Sequence, residues 1–100
     1  MTVPTILTIE DDAAIRRGLV DALEFSGYQV LQSGHGVDGL SQAMVADYDL
    51  LLLDLALPGV PGLGILRAVR EAHPNRLVIV LTAKGEEAER IAGLRLGADD

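Results

Sequence analysis

Residues 50–54 read Leu50-Leu51-Leu52-Leu53-Asp54, four leucines closed by one aspartate. A β-strand that is apolar on both faces is typical of the interior of a parallel sheet whose two faces are covered by helices. The stretch therefore predicts a central strand, and it places Asp54 at the carboxyl end of that strand.

Short apolar runs alternate with segments of helical period on both sides of this strand. Thr5–Ile9 and Leu77–Leu81 are apolar strands, whereas Tyr28–Gln32 alternates apolar with polar residues, as expected at or near a sheet edge. The spacing of apolar residues predicts four helices: Ala13–Phe25, Gly36–Ala46, Gly62–His73 and Glu86–Leu96. In the first helix the apolar stripe is Ile15, Leu19 and Leu23, and Gly27 marks the end. Four strand–helix units in succession imply parallel strands and right-handed crossovers, so we expect a doubly wound α/β sheet in one domain over residues 1–100.

The composition narrows the class of protein. With 49% hydrophobic residues and no cysteine, 100 residues suffice for one core, and disulfides or cysteine-built zinc sites are excluded. No apolar run approaches the roughly 20 residues that cross a bilayer, so we expect a cytoplasmic protein without membrane contact. The net charge is −7, and Arg16 and Arg17 are the only cations of the first half. This balance disfavours direct nucleic-acid binding and favours a bound cation.

Polar residues follow the predicted strands where a ligand site is expected in open parallel sheets, beyond their carboxyl ends. Glu10, Asp11 and Asp12 follow the first strand, Asp54 ends the third, and Thr82 follows the fourth. Each acid alone could be a helix cap or turn residue, and we assign Asp12 to capping. Together, however, the acids would crowd negative charge into a partly desolvated cleft, which requires a counterion.

A hard divalent cation meets this requirement, and Mg²⁺ with carboxylate ligands commonly partners phosphate oxygens. Glu10 and Asp11 are candidate metal ligands. Asp54 is the candidate nucleophile towards a phosphoryl group, and the Thr82 hydroxyl can donate a hydrogen bond to a phosphoryl oxygen.

Four motifs in order resemble the receiver domain of bacterial two-component response regulators. They are Ile6–Asp12 followed by Ile15-Arg16, then Leu51–Gly59, Val80–Ala83 and Leu96–Asp100. The resemblance covers the whole chain. It implies a flavodoxin-like sheet of order 2-1-3-4-5, which would end here after the fourth strand, with the fifth strand and helix beyond the given residues.

The resemblance also implies the function. A sensor histidine kinase would phosphorylate Asp54, with Mg²⁺ bound by Asp11, Asp54 and the Ala56 carbonyl. Glu10 would assist through water, and Thr82 would be the switch hydroxyl. Such a domain is not an enzyme beyond self-catalysed phosphotransfer and dephosphorylation. Its output would be transcriptional control through a DNA-binding domain outside this chain, with a homodimer through the fourth-helix face.

Two departures from the family pattern stand out. The family's lysine on the fifth strand would follow Asp100, and Lys84 is not that lysine, so we expect the natural chain to continue. Without the fifth strand and helix, the apolar strand Leu77–Leu81 would be an exposed edge of the sheet. We therefore expect residues 1–100 alone to be marginally stable or to associate. Pro61 stands where relatives often carry aspartate, which should stiffen the loop after Asp54.

A Gly-x-Gly-x-x-Gly pattern at Gly34, Gly36 and Gly39 is that of a dinucleotide-binding loop. The strand before it carries Gln29 and Gln32, whereas the strand leading to a pyrophosphate should be apolar and central. The pattern also leaves the acidic residues unexplained, and a simple helix start at Gly36 accounts for it.

Other functions on related folds fit less well. A flavin mononucleotide phosphate would be repelled by Glu10, Asp11 and Asp12. A phosphatase of the haloacid-dehalogenase type would need an aspartate nucleophile after the first strand with a second aspartate two residues on, and Glu10 and Asp12 fit that pair poorly. The alternative that stays open is a receiver-like module that is not phosphorylated and acts only through protein contacts.

Overall fold

The computed structural model describes residues 3–57 and 60–81, which form a parallel sheet of order β2-β1-β3-β4 with three helices. The expected α/β fold, the edge position of β2 and the interior position of β3 are confirmed. In chain order the elements are β1 Thr5–Ile9, α1 Ala13–Phe25, β2 Gln29–Ser33, α2 Gly36–Val45, β3 Leu50–Asp54, α3 Gly62–Ala72 and β4 Leu77–Leu81. The expected helix Glu86–Leu96 lies outside the described residues.

β2 begins one residue later than the sequence predicts because Tyr28 belongs to the turn that caps the carboxyl end of α1. Gly27 has a φ of 98°, the left-handed conformation that glycine adopts without strain. The Gly27 N–H donates to the Glu24 carbonyl at 3.0 Å, and the Tyr28 N–H donates to the Leu23 carbonyl at 3.1 Å. These two bonds form a Schellman motif, so the strand starts after them.

The core lies between the sheet and helices α2 and α3. Alternate strand residues such as Leu7, Leu51 and Leu53 are fully buried there against Ile65 and Leu66 of α3. α1 lies on the opposite face, where Leu23 approaches the strand residues of the other parity. Helices therefore lie on both faces of the sheet, and on the second face α1 packs over β1 and β2.

The packing of α1 differs in part from the predicted stripe of Ile15, Leu19 and Leu23. Ile15 is 46% exposed and the two leucines are half-buried, while Val20 is the buried residue of this helix. In the described ranges, no helix is both long and apolar enough to cross a membrane.

His73, which the sequence suggests is an exposed polar residue, is partly buried instead. Its Nε2 atom lies 3.2 Å from the Met44 carbonyl oxygen, so the ring bridges the ends of α3 and α2. The other histidine, His35, is exposed as expected and precedes α2.

Candidate metal centre

The sheet register brings the carboxyl ends of β1 and β3 to one level. Ile9 pairs with Leu53, so the next residues along each strand, Glu10 and Asp54, lie side by side at the edge of the sheet. Asp11 follows Glu10 into the loop before α1. One carboxylate oxygen each from Glu10, Asp11 and Asp54 lies within 4.8 Å of the other two.

Two of these three carboxylates are almost withdrawn from solvent. Glu10 is 4% exposed and Asp54 is 2% exposed, whereas Asp11 is exposed. The Asp12 N–H donates to Glu10 Oε2 at 3.1 Å, and the Ala56 N–H donates to Asp54 Oδ1 at 3.0 Å. Main-chain donors thus fix the rotation of both buried carboxylates, and the exposed Asp11 leaves the cluster open to solvent on one side.

The cluster raises the pKa of Glu10 from 4.5 to about 7. Burial is the main cause, and the neighbouring Asp54 carboxylate raises the pKa further, while the hydrogen bond from the Asp12 main chain lowers it. Negative charge is therefore held at this site against an electrostatic penalty. A bound cation removes that penalty.

The donor set fits Mg²⁺. Three carboxylates converge, one of them exposed to solvent, and Mg²⁺ takes oxygen ligands while keeping several waters. Glu10, Asp11 and Asp54 would hold the ion, as the sequence predicts.

Asp12 belongs to α1 and not to the cluster. Its Oδ1 accepts a hydrogen bond of 2.9 Å from the Ile15 N–H, so it is the N-cap of the helix, as expected. The cap fixes the direction in which the chain leaves Glu10 and Asp11.

Two further predicted residues have less structural support. Ala56 lies next to the site through its N–H, and the role of its carbonyl stays a prediction. Thr82 lies outside the described residues, although Leu81, which precedes it in the sequence, is the register partner of Asp54.

The three glycines of the dinucleotide-like pattern are explained by packing. A Cβ atom at Gly36 would lie 2.9 Å from the main chain of Val60, and one at Gly39 would lie 2.7 Å from Ile9. A Cβ atom at Gly34 would collide with the guanidinium of Arg16. α2 begins at Gly36, as the simpler interpretation predicts.

Sequence reasoning missed two residues that shape the site. The Ser33 carbonyl accepts a 3.1 Å hydrogen bond from the Glu10 N–H, and Arg16 donates to the Glu10 carbonyl at 2.8 Å. The contact of Arg16 with the Glu10 carbonyl could have been predicted, because Arg16 lies one turn into the helix that follows the acids. Ser33 carried none, because its role depends on β2 lying beside β1.

Comparison with known proteins identifies the family. A family model described as the response regulator receiver domain matches residues 6–100. The transcriptional regulatory protein ResD of Bacillus subtilis (strain 168) is 42% identical over 95 residues, which are 95% of this chain and 39% of ResD. The chain spans about two fifths of the length of the curated relatives it matches.

Solved structures agree. The CheY-like receiver domain protein of Methanospirillum hungatei JF-1 superimposes with a TM-score of 0.91 at 28% identity, over 98% of this chain and 78% of that one. A response regulator of Burkholderia pseudomallei, whose structure contains a phosphorylated aspartic acid, a calcium ion and citrate, gives a TM-score of 0.87 at 26% identity, over 96% and 56% of the two chains.

The chain belongs to the response regulator receiver domain family of two-component signalling systems. Among its homologues are transcriptional regulators, and its fold is the CheY-like, flavodoxin-like one.

Proposed function

We propose that this receiver domain is a phosphoacceptor. Asp54 receives a phosphoryl group from a sensor histidine kinase, and Glu10, Asp11 and Asp54 hold the Mg²⁺ that the reaction needs. The observation that carries the proposal is the convergence of three carboxylates, two of them buried, at the carboxyl edge of the sheet. The phosphorylated aspartic acid in the homologous Burkholderia pseudomallei protein supports it.

In the chemical step, an oxygen of the Asp54 carboxylate attacks the phosphorus atom of the kinase's phosphohistidine. The P–N bond breaks, its electron pair leaves with the imidazole nitrogen, and an acyl phosphate forms. The Ala56 N–H holds the carboxylate in place for this attack. When bound, Mg²⁺ neutralises part of the negative charge on the carboxylates and the phosphoryl oxygens.

Two residues complete the proposed site. The Ala56 carbonyl is a further metal ligand, and the Thr82 hydroxyl donates to a phosphoryl oxygen and so senses phosphorylation. The resulting switch acts on an output surface in the cytoplasm, through a homodimer formed by the fourth-helix face. The output is transcriptional control by a DNA-binding domain outside this chain, in line with the name of ResD.

The test is phosphorylation of the natural protein at its full length by acetyl phosphate with Mg²⁺. We expect a mass gain of one phosphoryl group, which EDTA prevents and hydroxylamine removes, as an acyl phosphate requires. Asp54→Asn should gain nothing. Asp47→Asn is the matched control, because Asp47 is exposed in the segment between α2 and β3 and lies away from the cluster.

The alternative predicts a different result. If wild type and Asp54→Asn both remain unmodified, and beryllofluoride with Mg²⁺ changes no amide resonance near Asp54, the domain is a receiver-like interaction module that is not phosphorylated.

A further inference from the structure

Arg16 reaches back from α1 to the acidic loop, which we define as Glu10–Asp12. Its Nη1 atom donates a hydrogen bond of 2.8 Å to the Glu10 carbonyl oxygen and lies 3.5 Å from the Asp11 carbonyl oxygen. Both acceptors are main-chain oxygens. The guanidinium therefore acts on the path of the acidic loop, and the carboxylates remain directed elsewhere.

The guanidinium is seated against Gly34, the residue after β2. A Cβ atom at Gly34 would lie 2.5 Å from Nη1 and 2.9 Å from Cζ of Arg16, closer than side-chain carbons come to other atoms. Gly27 is the glycine with a positive φ among the described residues, so Gly34 is not required by a left-handed backbone. The space that Gly34 leaves is filled by the arginine.

Glu10 is consequently held through both of its main-chain polar groups. Its N–H donates to the Ser33 carbonyl at 3.1 Å, and its carbonyl accepts from Arg16. Ser33 and Gly34 are adjacent, so the end of β2 contacts Glu10 directly through Ser33 and adjoins, at Gly34, the guanidinium that binds the Glu10 carbonyl. Groups that hold a metal ligand from outside the coordination shell commonly set its orientation and the affinity of the site.

We propose that Arg16 is a positioning residue of the metal centre, and that Gly34, which leaves room for the guanidinium, determines where the guanidinium lies. The guanidinium fixes the Glu10 carbonyl, and this sets the direction in which Glu10 and Asp11 present their carboxylates. The consequence for Mg²⁺ rests on the proposed function above, whereas the ordering of the acidic loop does not.

Four variants of the full-length protein separate the position of the guanidinium from its charge. Arg16→Ala removes both, and Gly34→Ala displaces the guanidinium while leaving its charge. The atoms that the added methyl meets are the end of a flexible side chain, so the fold should tolerate it. Arg16→Lys restores a donor, since a single nitrogen makes both contacts. Arg17→Ala is the control, because Arg17 is the exposed neighbouring cation.

The first measurement is the Mg²⁺ dissociation constant by calorimetry. We expect Arg16→Ala and Gly34→Ala each to weaken binding about tenfold, Arg16→Lys to recover part of the loss, and Arg17→Ala to stay within about twofold of wild type. The double variant Arg16→Ala/Gly34→Ala should bind no more weakly than Arg16→Ala, because the methyl then has nothing to displace. Additive losses, or an equal loss in Arg17→Ala, overturn the proposal.

The second measurement needs no metal. The N–H groups of Glu10 and Asp12 are hydrogen-bonded in the acidic loop. Their amide hydrogen exchange in EDTA should quicken in Arg16→Ala and Gly34→Ala and stay as slow as in wild type in Arg17→Ala, while the central amides of β1 keep their protection in all variants. Unchanged exchange in the acidic loop overturns the proposal. If wild type binds no Mg²⁺ but the loop amides respond in this way, the positioning role stands and the proposed metal function fails.

Discussion

Glu10 gives the metal-free domain a pH dependence of its own. Its pKa is about 7 in the folded chain and about 4.5 when unfolded, so between these values the folded chain binds more protons than the unfolded one. The free energy of unfolding must then fall as the pH rises through this window, by about 3 kcal/mol in all. Below it, where Glu10 is protonated in both states, the penalty is absent.

Urea unfolding in EDTA from about pH 4.5 to about pH 8 measures this dependence. Glu10→Gln should lose the part of the slope that belongs to this residue and be more stable than wild type at the alkaline end. Glu24→Gln is the control, since Glu24 is exposed on α1. A Glu10→Gln profile parallel to that of wild type would show that the burial of Glu10 carries no such penalty.

At the scale of elements, the start of α3 packs closely against the main chain of Asp54 and Leu55. A methyl on Gly62 would overlap the Leu55 Cα atom and come within 2.7 Å of the Asp54 carbonyl oxygen, both of them main-chain atoms. At Gly64, in the same turn, an added Cβ meets nothing within 4 Å. The two glycines therefore differ in packing although they share a helix.

This difference predicts opposite effects of alanine. Gly62→Ala should destabilise the domain by about 2 kcal/mol and slow phosphorylation, because the main chain beside Asp54 must shift. Gly64→Ala should stabilise it by up to about 1 kcal/mol, since alanine is the better helix former. Urea unfolding and the initial rate of acyl phosphate formation check both. Equal effects of the two changes would contradict the close approach of α3 to β3.

The elements were predictable from sequence because their signals are local. The leucines of Leu50–Asp54, the cap at Asp12 and the glycine that ends α1 each act within a few residues. The convergence of the acids also followed, since parallel strands end at one edge. The contact of Arg16 with Gly34 did not, because it depends on how β2 lies beside β1.

The same distinction explains the error at α1. Periodicity identifies a helix, but the choice of Val20 over Ile15 as the buried residue depends on how the helix is rotated against the sheet. That rotation is a tertiary property. The buried residue of α1 therefore differs from the predicted ones, although the bounds of the helix are as predicted.

At the scale of the whole molecule, apolar packing and the acidic cluster of Glu10, Asp11 and Asp54 have opposite effects on stability. The core is closed by fully buried residues such as Leu7, Leu51 and Ile65, and the same sheet holds buried carboxylates at its carboxyl edge. Asp54→Asn should therefore be more stable than wild type in the absence of Mg²⁺, because one of two neighbouring buried charges is gone.

Mg²⁺ should reverse this order. Binding to the folded state alone raises the free energy of unfolding, by about 2.7 kcal/mol at a hundredfold excess over the dissociation constant. Wild type should gain this stability, and gain more at pH 8 than at pH 6, since Glu10 must release its proton. Asp54→Asn, which lacks one of the three carboxylates, should gain less, while Asp47→Asn should match wild type.

The chain carries a net charge of −7, so NaCl at equal ionic strength measures the gain from screening alone. If NaCl reproduces the whole effect, or Asp54→Asn responds as wild type does, the ions act diffusely and the three carboxylates form no metal site.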